Sequence, residues 1–421
     1  MQPVTPPVDG LSIDVDTLTR ELHTLASISD APAPAVTRIV FSETDLRARA
    51  WLKQRCEAAG LAIREDAVGN TFARWTGSDP MLAAVGTGSH IDAIPNAGAY
   101  DGTVGVLGGL EAIRALARAG FRPHRAIELV IFTAEEPTRF GIGCLGSRLL
   151  TGTLDTSPGQ RLRDREGVTL DQWRERAGFT GSLANVRLAA DAYAAFLELH
   201  IEQGPLLERG GHDIGIVEAI AAPATLRVVI QGVGGHAGAV LMADRHDAFL
   251  AAAEIALATE AAAKGTGAVD TVATVGACEL FPGAVNSIPS RARLDIDVRD
   301  IDQARRDAVL AQIIDACHQS ATRRGLEVQI EQLHADAPAR CAPVILDAIT
   351  DACKERQLSY IRMISRAYHD TLFMSRVAPT GMIFIPCRNG VSHRPDEYAS
   401  PAAIGKGVEV LAHALARLSA S

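Results

Sequence analysis

The chain has 421 residues, a length that predicts two or three domains. Apolar residues make up 47% and charged residues 22%, which excludes wholesale disorder, and no apolar run reaches the roughly 18 residues of a membrane span. The net charge of −9 comes without a basic stripe, which argues against nucleic acid as a partner but leaves a small anionic substrate open.

The cysteines and the N-terminus both favour a cytoplasmic location. The seven cysteines are scattered and form no CxxC pair, so we interpret them as reduced thiols. The opening residues lack the basic start and the apolar stretch of a signal peptide. We therefore expect a cytoplasmic protein that does not engage a membrane.

Two amphipathic helices, at about 14–27 and 43–59, open the predicted fold. Strands and helices then alternate, with buried strands at 81–89, 125–134, 196–203 and 380–387. Asp101 is expected to be the N-cap of the helix that follows the first of these strands. Such alternation predicts an α/β domain whose mainly parallel sheet is covered by helices on both faces.

The middle of the chain follows a different pattern. Its order is βαββαβ, with strands at 225–231, 270–276, 291–299 and 326–333 and helices at 245–264 and 301–324. Residues 291–299 alternate between apolar and charged, as in a strand with one solvated face. We interpret 217–334 as a ferredoxin-like domain inserted into a catalytic domain made of 1–216 and 335–421.

Histidines and acidic residues collect where the predicted strands end. They are His90, Asp92, Asp101, Glu135, Glu136, His200 and His393. Ligands of open α/β sheets bind beyond the carboxyl ends of the strands, so these segments deliver their side chains to one edge. Taken singly, each residue has an ordinary interpretation as a loop residue or a helix cap. Two adjacent carboxylates are less ordinary, because like charges close together need positive charge between them.

This set of side chains favours a site for two divalent metal ions. Three histidines, one aspartate and one glutamate provide enough ligands, and Asp101 is suited to bridge the ions. One carboxylate of the Glu135–Glu136 pair then remains to act as a base. Mixed nitrogen and oxygen ligands without thiolate fit zinc or manganese, and the sequence does not choose between them.

Seven segments together resemble a known family. They are GSHIDAIPNAGAYDG (88–102), FTAEEPTRFGIGCLGSRLL (132–150), ELHIEQGP (198–205), GVGGHAG (232–238), FPGAVNSIP (281–289), SRAYHD (365–370) and GMIFIPCRNGVSHRP (381–395). They resemble the dinuclear metal-dependent amidohydrolases of the aminoacylase/carboxypeptidase superfamily. Within it they are most similar to the ureido branch, the hydantoinase/carbamoylase family.

The resemblance implies a role for each matching residue. The metal ligands would be His90, Asp101, Glu136, His200 and His393, with Asp101 bridging the two ions. Substrate contacts would come from Gln203, Asn286, Arg299, Tyr368 and His369.

The resemblance also implies how the reaction proceeds. Glu135 would be the general base for a water shared by the two metals, and Asp92 would orient His90. His236 would reach the active site of the partner subunit and polarise the scissile carbonyl. The inserted domain would be the dimerisation lid of a homodimer.

The segment at 365–370 bears on the substrate. Relatives that act on N-carbamoyl-amino acids or allantoate usually have small glycines where this chain has Arg366 and Tyr368. A tyrosine there fills space and adds a hydroxyl, so we expect a short ureido acid with a polar α-substituent. The closest resemblance is to enzymes that hydrolyse ureidoglycolate to glyoxylate, ammonia and carbon dioxide. Packing alone would also explain Tyr368, and an ion pair with Asp297 or Asp300 would explain Arg299.

Three other functions remain open. Hydrolysis of an N-carbamoyl-L-amino acid or of allantoate is the alternative within the same branch. A dipeptidase is disfavoured by His200, because the peptidase branches more often place a carboxylate there. A catalytically silent dimeric scaffold is disfavoured by the intact set of ligands and by Glu135.

Overall fold

The computed structural model describes residue 8, residues 10–157 and residues 162–420. The chain divides into two compact units, of which the first takes in Met1–Glu218, Arg340–Met363 and His369–Ser421. The second comprises Ala219–Ala339 and Ile364–Tyr368. In the described part of the chain, no helix combines the length and the apolarity that crossing a membrane requires.

A large sheet forms the centre of the first unit. In the described residues its strands lie in the order Ala339–Arg340, Ile214–Ile220, Thr380–Ile385, Tyr193–Ile201, Ala84–His90, Ile127–Phe132, Thr71–Trp75 and Ala62–Glu65, and Tyr360–Ser365 also pairs with Ile214–Ile220. The four central strands, Thr380–Ile385 to Ile127–Phe132, are mutually parallel. Ile214–Ile220 and Thr71–Trp75, which flank them, are antiparallel to them, and Ala62–Glu65 is in turn antiparallel to Thr71–Trp75. The four buried strands predicted from apolar runs are these four parallel strands.

Helices cover both faces of this sheet. On one face, Gly108 and Gly109 of the helix Thr103–Arg118 lie so close to the sheet that an added Cβ would stand 2.9 Å from Leu199 and from Leu129. Side chains alternate along a strand, so Val130 and Phe196 point to the opposite face. There they share a hydrophobic cluster with Leu145, Leu149 and Leu150 of the helix Leu145–Thr151. The predicted α/β class with helices on both faces is confirmed.

The described residues of the first unit form several further helices and a small ladder. The helices are Val15–Ser27, Glu43–Ala58, Leu170–Arg176, Leu206–Gly210, Pro343–Glu355, Asp370–Met374 and Pro401–Ser419. A small antiparallel ladder joins Val36–Arg38 to Ala93–Ala97.

The second unit is built on a four-stranded antiparallel sheet. Its strands lie in the order Val272–Phe281, Arg291–Asp300, Ala222–Gln231 and Glu327–Ala335, with the helices Ala248–Gly265 and Gln303–Arg324. The predicted order βαββαβ is therefore observed. Along Arg291–Asp300 the apolar residues are buried and join a core with both helices, as the alternation predicts.

Candidate metal centre and active site

The predicted ligands gather at the carboxyl ends of the parallel strands. His90 is the last residue of its strand, and His200 is the last but one of the neighbouring strand. Glu136 follows the strand Ile127–Phe132, and His393 follows Thr380–Ile385 after a loop. Parallel strands end at the same edge, so segments remote along the chain meet there.

Asp101 reaches this edge by a route that differs from the sequence-based expectation. The helix begins at Thr103 and its N-cap is Gly102, so the prediction that Asp101 is the N-cap was wrong. Gly102 has φ +65, and a Cβ there would lie 2.4 Å from Nε2 of His90. Only glycine fits this position without strain or collision. Because Asp101 does not cap the helix, its carboxylate is free to face the imidazoles.

The two carboxylate oxygens of Asp101 face different groups of ligands. Oδ1 lies 3.2 Å from Nε2 of His200 and 3.6 Å from Nε2 of His90. Oδ2 lies 3.4 Å from Nε2 of His393, whose Nε2 is also 3.2 Å from Oε1 of Glu136. The potential ligand atoms within each of these two groups all lie within 4.8 Å of one another. This is the arrangement that a carboxylate bridging two cations requires.

The tautomers of two histidines suit them to bind metal. Nδ1 of His90 lies 3.1 Å from the carbonyl oxygen of Asp92, and Nδ1 of His200 lies 2.9 Å from that of Ile201. A carbonyl oxygen only accepts, so Nδ1 carries a proton in each ring. In the neutral form of either ring Nε2 is then the nitrogen with the free lone pair, and it is the nitrogen on the side of Asp101, as a metal-binding imidazole requires.

Asp92 connects His90 to the Glu135–Glu136 pair. Its carboxylate accepts hydrogen bonds from the backbone N–H of Glu135 at 3.2 Å and of Glu136 at 3.0 Å. Its Oδ1 is 3.7 Å from Nδ1 of His90, farther than its own carbonyl oxygen. Glu135 places Oε2 at 3.7 Å from Nε2 of His90, beside the ligands.

Burial and neighbouring charges shift the pKa values of these groups. Burial raises the pKa of Glu135 well above its usual range, and nearby carboxylates add to the rise. Burial opposes ionisation of Asp101 too, but the three imidazoles outweigh it and hold the pKa of Asp101 well below its usual range. Hydrogen bonds to Asp101 and Glu136 raise the pKa of His393 to about 11. The carboxylates therefore attract positive charge, and a metal ion would release imidazole protons on binding.

Two of the expected substrate-contact residues lie in this cluster. Gln203, in the left-handed region with φ 56, donates from Nε2 to Oδ2 of Asp101 at 2.6 Å. The ring of His369 packs edge-on against His200, with centroids 4.5 Å apart.

Sequence reasoning missed four polar residues that surround the ligands. Glu198 forms a further group with His200 and His369, and Asp370, Ser392 and Glu397 are the others. Glu198 had a signal, because it precedes His200 by two positions in a strand and so shares its face. Glu397 contacts residues that are far from it in the sequence, so no local sequence pattern predicts these contacts.

The other predicted site residues belong to the second unit. His236 is exposed on a short strand that pairs with Ser287–Ile288, and the carbonyl oxygen of Asn286 accepts from Ala237 at 2.9 Å. Nδ1 of His236 accepts from the N–H of Gly238 at 3.1 Å, so the neutral ring carries its proton on Nε2.

Arg299 and Tyr368 also lie together in the second unit. The Arg299 guanidinium contacts Oδ2 of Asp297 at 2.7 Å and donates to the carbonyl oxygen of Arg366 at 3.2 Å. It stands 5.7 Å from the ring centroid of Tyr368. Arg366 in turn pairs with Asp270 at 2.6 Å. The ion pair with Asp297 that the sequence suggested is thus present, and a planar arginine with two partners is held in one orientation.

The chain is similar to known proteins along nearly its whole length. A ureidoglycolate hydrolase of Oryza sativa subsp. japonica is 52% identical over 412 residues, which is 97% of this chain and 85% of that protein. An N-carbamoyl-L-amino acid amidohydrolase of Geobacillus stearothermophilus is 36% identical over 410 residues, 97% of this chain and 99% of that protein. The crystal structure of AtUAH in complex with glyoxylate matches with a TM-score of 0.91 and 50% identity, over 98% of this chain and 100% of that one.

The family model described as Peptidase family M20/M25/M40 matches residues 86–417, a span that includes every proposed ligand. Its members are typically dependent on two metal ions, in agreement with the cluster around Asp101. The chain therefore belongs to peptidase family M20/M25/M40, which confirms the resemblance seen in its motifs.

Proposed function

We propose that this protein hydrolyses the ureido C–N bond of ureidoglycolate with the help of two divalent cations, Mn²⁺ or Zn²⁺. The observation that carries the proposal is the meeting of four potential ligands around Asp101, itself the fifth, beside the buried Glu135. The substrate is supported by the similarity to ureidoglycolate hydrolase along nearly the whole chain.

The chain offers a separate set of ligands to each ion. His90 and His200 would hold one ion with Oδ1 of Asp101, and Glu136 and His393 would hold the other with Oδ2. When bound, the ions supply Lewis-acid activation of water and stabilise negative charge that develops on the carbonyl oxygen.

Glu135 moves the proton of the reaction. It removes a proton from the attacking water, whose oxygen bonds to the ureido carbon. The bond from that carbon to the nitrogen on the α-carbon then breaks, and Glu135 gives the proton to this nitrogen. Carbamate leaves and decomposes to ammonia and carbon dioxide. The remaining hydroxyglycine collapses to glyoxylate and a second ammonia.

His236 of the partner subunit polarises the scissile carbonyl in this proposal. Its neutral tautomer carries a proton on Nε2, because Nδ1 accepts a backbone hydrogen bond. An exposed N–H of this kind donates well to an oxygen that becomes negative in the transition state.

The remaining polar residues bind the substrate. Arg299 and Asn286 anchor the substrate carboxylate, since a guanidinium presents a planar fork that matches it. Gln203, Tyr368 and His369 contact the rest of the molecule. The tyrosine would limit the space for a larger α-substituent and so favour ureidoglycolate over longer ureido acids.

The second unit serves as the dimerisation lid of a homodimer in this proposal. The strand Val272–Phe281 is at the edge of its sheet and is largely exposed. Phe281 is 56% exposed there, and Leu257 on the helix Ala248–Gly265 is 68% exposed. An open strand edge with apolar residues is suited to pairing with a second copy. We further propose that the enzyme acts in the cytoplasm.

The proposal is tested by ammonia release from metal-stripped protein that is reloaded with Mn²⁺ or Zn²⁺. Ureidoglycolate, allantoate and an N-carbamoyl-L-amino acid are compared as substrates. We expect the highest kcat/KM with ureidoglycolate and no turnover without metal. Faster turnover of an N-carbamoyl-L-amino acid or of allantoate would favour the alternative function, and inactivity towards all three would contradict the proposed activity.

A further inference from the structure

The buried carboxylate of Glu397 joins two loops that each carry a proposed metal ligand. Its Oε1 accepts hydrogen bonds from the backbone N–H groups of Tyr100 at 2.8 Å and Asp101 at 3.0 Å. Its Oε2 lies 2.9 Å from Oγ of Ser392, the residue before His393. Glu397 is 5% exposed, so water does not compete strongly for these bonds.

Ser392 extends this connection to the side chain of Asp101. Its Oγ lies 2.5 Å from Oδ2 of Asp101, the oxygen that faces His393. Glu397 therefore acts on Asp101 twice, directly through the backbone N–H and indirectly through Ser392. Two bonded peptide groups hold the Asp101 backbone, and that backbone sets the direction in which the carboxylate leaves it.

The loop before Asp101 is shaped to receive Glu397. An added Cβ at Gly98 would lie 2.3 Å from Cβ of Glu397 and 2.5 Å from its Oε1. A side chain at this position would therefore displace the glutamate. The side chain of Glu397 can lie this close to the loop only because Gly98 has no side chain, so the two residues fit each other.

The loop that carries His393 also needs neighbouring residues to hold its conformation. His393 has φ 58, in the left-handed region that side chains rarely adopt, and its side chain is 45% exposed. A residue in this conformation persists only where its surroundings hold it. The contacts of Ser392 with Glu397 and Asp101 tie the residue next to His393 to the Asp101 loop.

We propose that Glu397 is a positioning residue of the metal centre, which holds the Asp101 loop and the His393 loop at the separation that lets both bind the same ion. This inference rests on the proposed function, because it takes these two residues as ligands. Residues that orient metal ligands typically change metal affinity by 10- to 100-fold when they are replaced.

The test is a titration of metal-stripped protein with Mn²⁺ and Zn²⁺, followed by calorimetry, with the melting temperature of the metal-free form measured in parallel. We expect Glu397→Ala to bind about 10- to 100-fold more weakly than the wild type. Glu397→Gln should retain most of the affinity, because its amide oxygen still accepts from both backbone N–H groups. Gly98→Ala should lose affinity although it removes no hydrogen-bonding group.

A matched control separates positioning from general stability. Glu111 is 1% exposed, and its Oε1 accepts from the backbone N–H of Asp14 at 2.8 Å, so it too ties distant segments together. Glu111→Ala should lower the melting temperature and leave the affinity for metal unchanged.

The outcomes distinguish this inference from the function on which it rests. Folded Glu397→Ala and Gly98→Ala proteins that bind metal as tightly as the wild type would overturn the positioning role alone. If Glu397→Ala does not fold, unchanged affinity in Gly98→Ala overturns it. A wild-type protein that binds neither metal would contradict the proposed metal centre, and the positioning role with it.

Discussion

Nε2 of His393 lies 3.2 Å from Oε1 of Glu136, although the two residues come from opposite halves of the chain. Glu136 lies shortly after the interior strand Ile127–Phe132, whereas His393 lies on a loop that follows the strand Thr380–Ile385. Both also face Asp101, whose Oδ2 is 3.4 Å from the same imidazole nitrogen. This meeting of two loops at one sheet edge forms the second half of the proposed metal centre.

Replacing the proposed base should separate catalysis from metal binding. Glu135→Gln keeps the size of the side chain but cannot accept the proton, so kcat should fall by about 10²- to 10⁴-fold. Because Glu135 is not among the proposed ligands, the metal content by elemental analysis should stay at the wild-type level. Glu175→Gln, at an exposed position, is the control and should be fully active. A Glu135→Gln enzyme with normal kcat would remove the base from the mechanism.

Loss of the proposed carboxylate anchor should act on substrate binding. Arg299→Ala should raise KM for ureidoglycolate roughly tenfold or more, since a hydrogen bond to a charged group contributes about 1.5–3 kcal/mol. Arg293→Ala is a matched control, because Arg293 lies on the same strand and pairs with Glu279 at 2.8 Å. Steady-state kinetics on both variants decide the point. Equal KM values for the two would show that Arg299 does not bind the carboxylate.

A site completed by the partner subunit should show complementation. His236→Ala and Asp101→Ala homodimers should each be nearly inactive, because one lacks the polarising N–H and the other lacks the bridging ligand. When the two proteins are unfolded and refolded together, heterodimers have one site with both residues intact. About a quarter of wild-type activity should return, as random pairing gives half heterodimers with one working site each. Mixtures that stay inactive although heterodimers form would argue against a shared site.

A buried histidine remote from the proposed ligands should make stability depend on pH. His413 is 2% exposed, its ring nitrogens have no hydrogen-bond partner within the described residues, and burial lowers its pKa below 6.5. As pH falls through 6.5, His413 binds a proton in the unfolded chain but not yet in the folded chain. The free energy of unfolding therefore decreases.

His413→Leu removes this proton uptake. The melting temperature of the variant should exceed that of the wild type, and the difference should grow as pH falls from about 7.5 to about 5.5. Removing an unpartnered polar ring should also add about 1–3 kcal/mol to the free energy of unfolding at all pH values. His23→Leu, at an exposed position, is the control. A difference between His413→Leu and wild type that does not change with pH would contradict the prediction.

Local pattern was enough to predict most of the architecture. Apolar runs such as Ile127–Phe132 identify parallel strands, because a strand buried on both faces needs apolar side chains in both directions. The alternation along Arg291–Asp300 identifies a strand with one solvated face for the same reason. Glu136 and His200 could be assigned to one edge from the sequence alone. Both come at the ends of parallel strands, and which edge a strand end lies on does not depend on side-chain geometry.

The sequence by itself thus determined the fold class, the family and the candidate residues for the chemistry, because these depend on short-range periodicity and on the kinds of side chain at strand ends. Only the tertiary structure decided that Gly102 and not Asp101 caps the helix, which oxygen of Asp101 faces which histidine, and that Glu397 ties the two ligand loops together. Those relationships are distances of a few ångströms between residues far apart in the chain. They arise when packing brings the loops together, and no periodicity along the sequence encodes them.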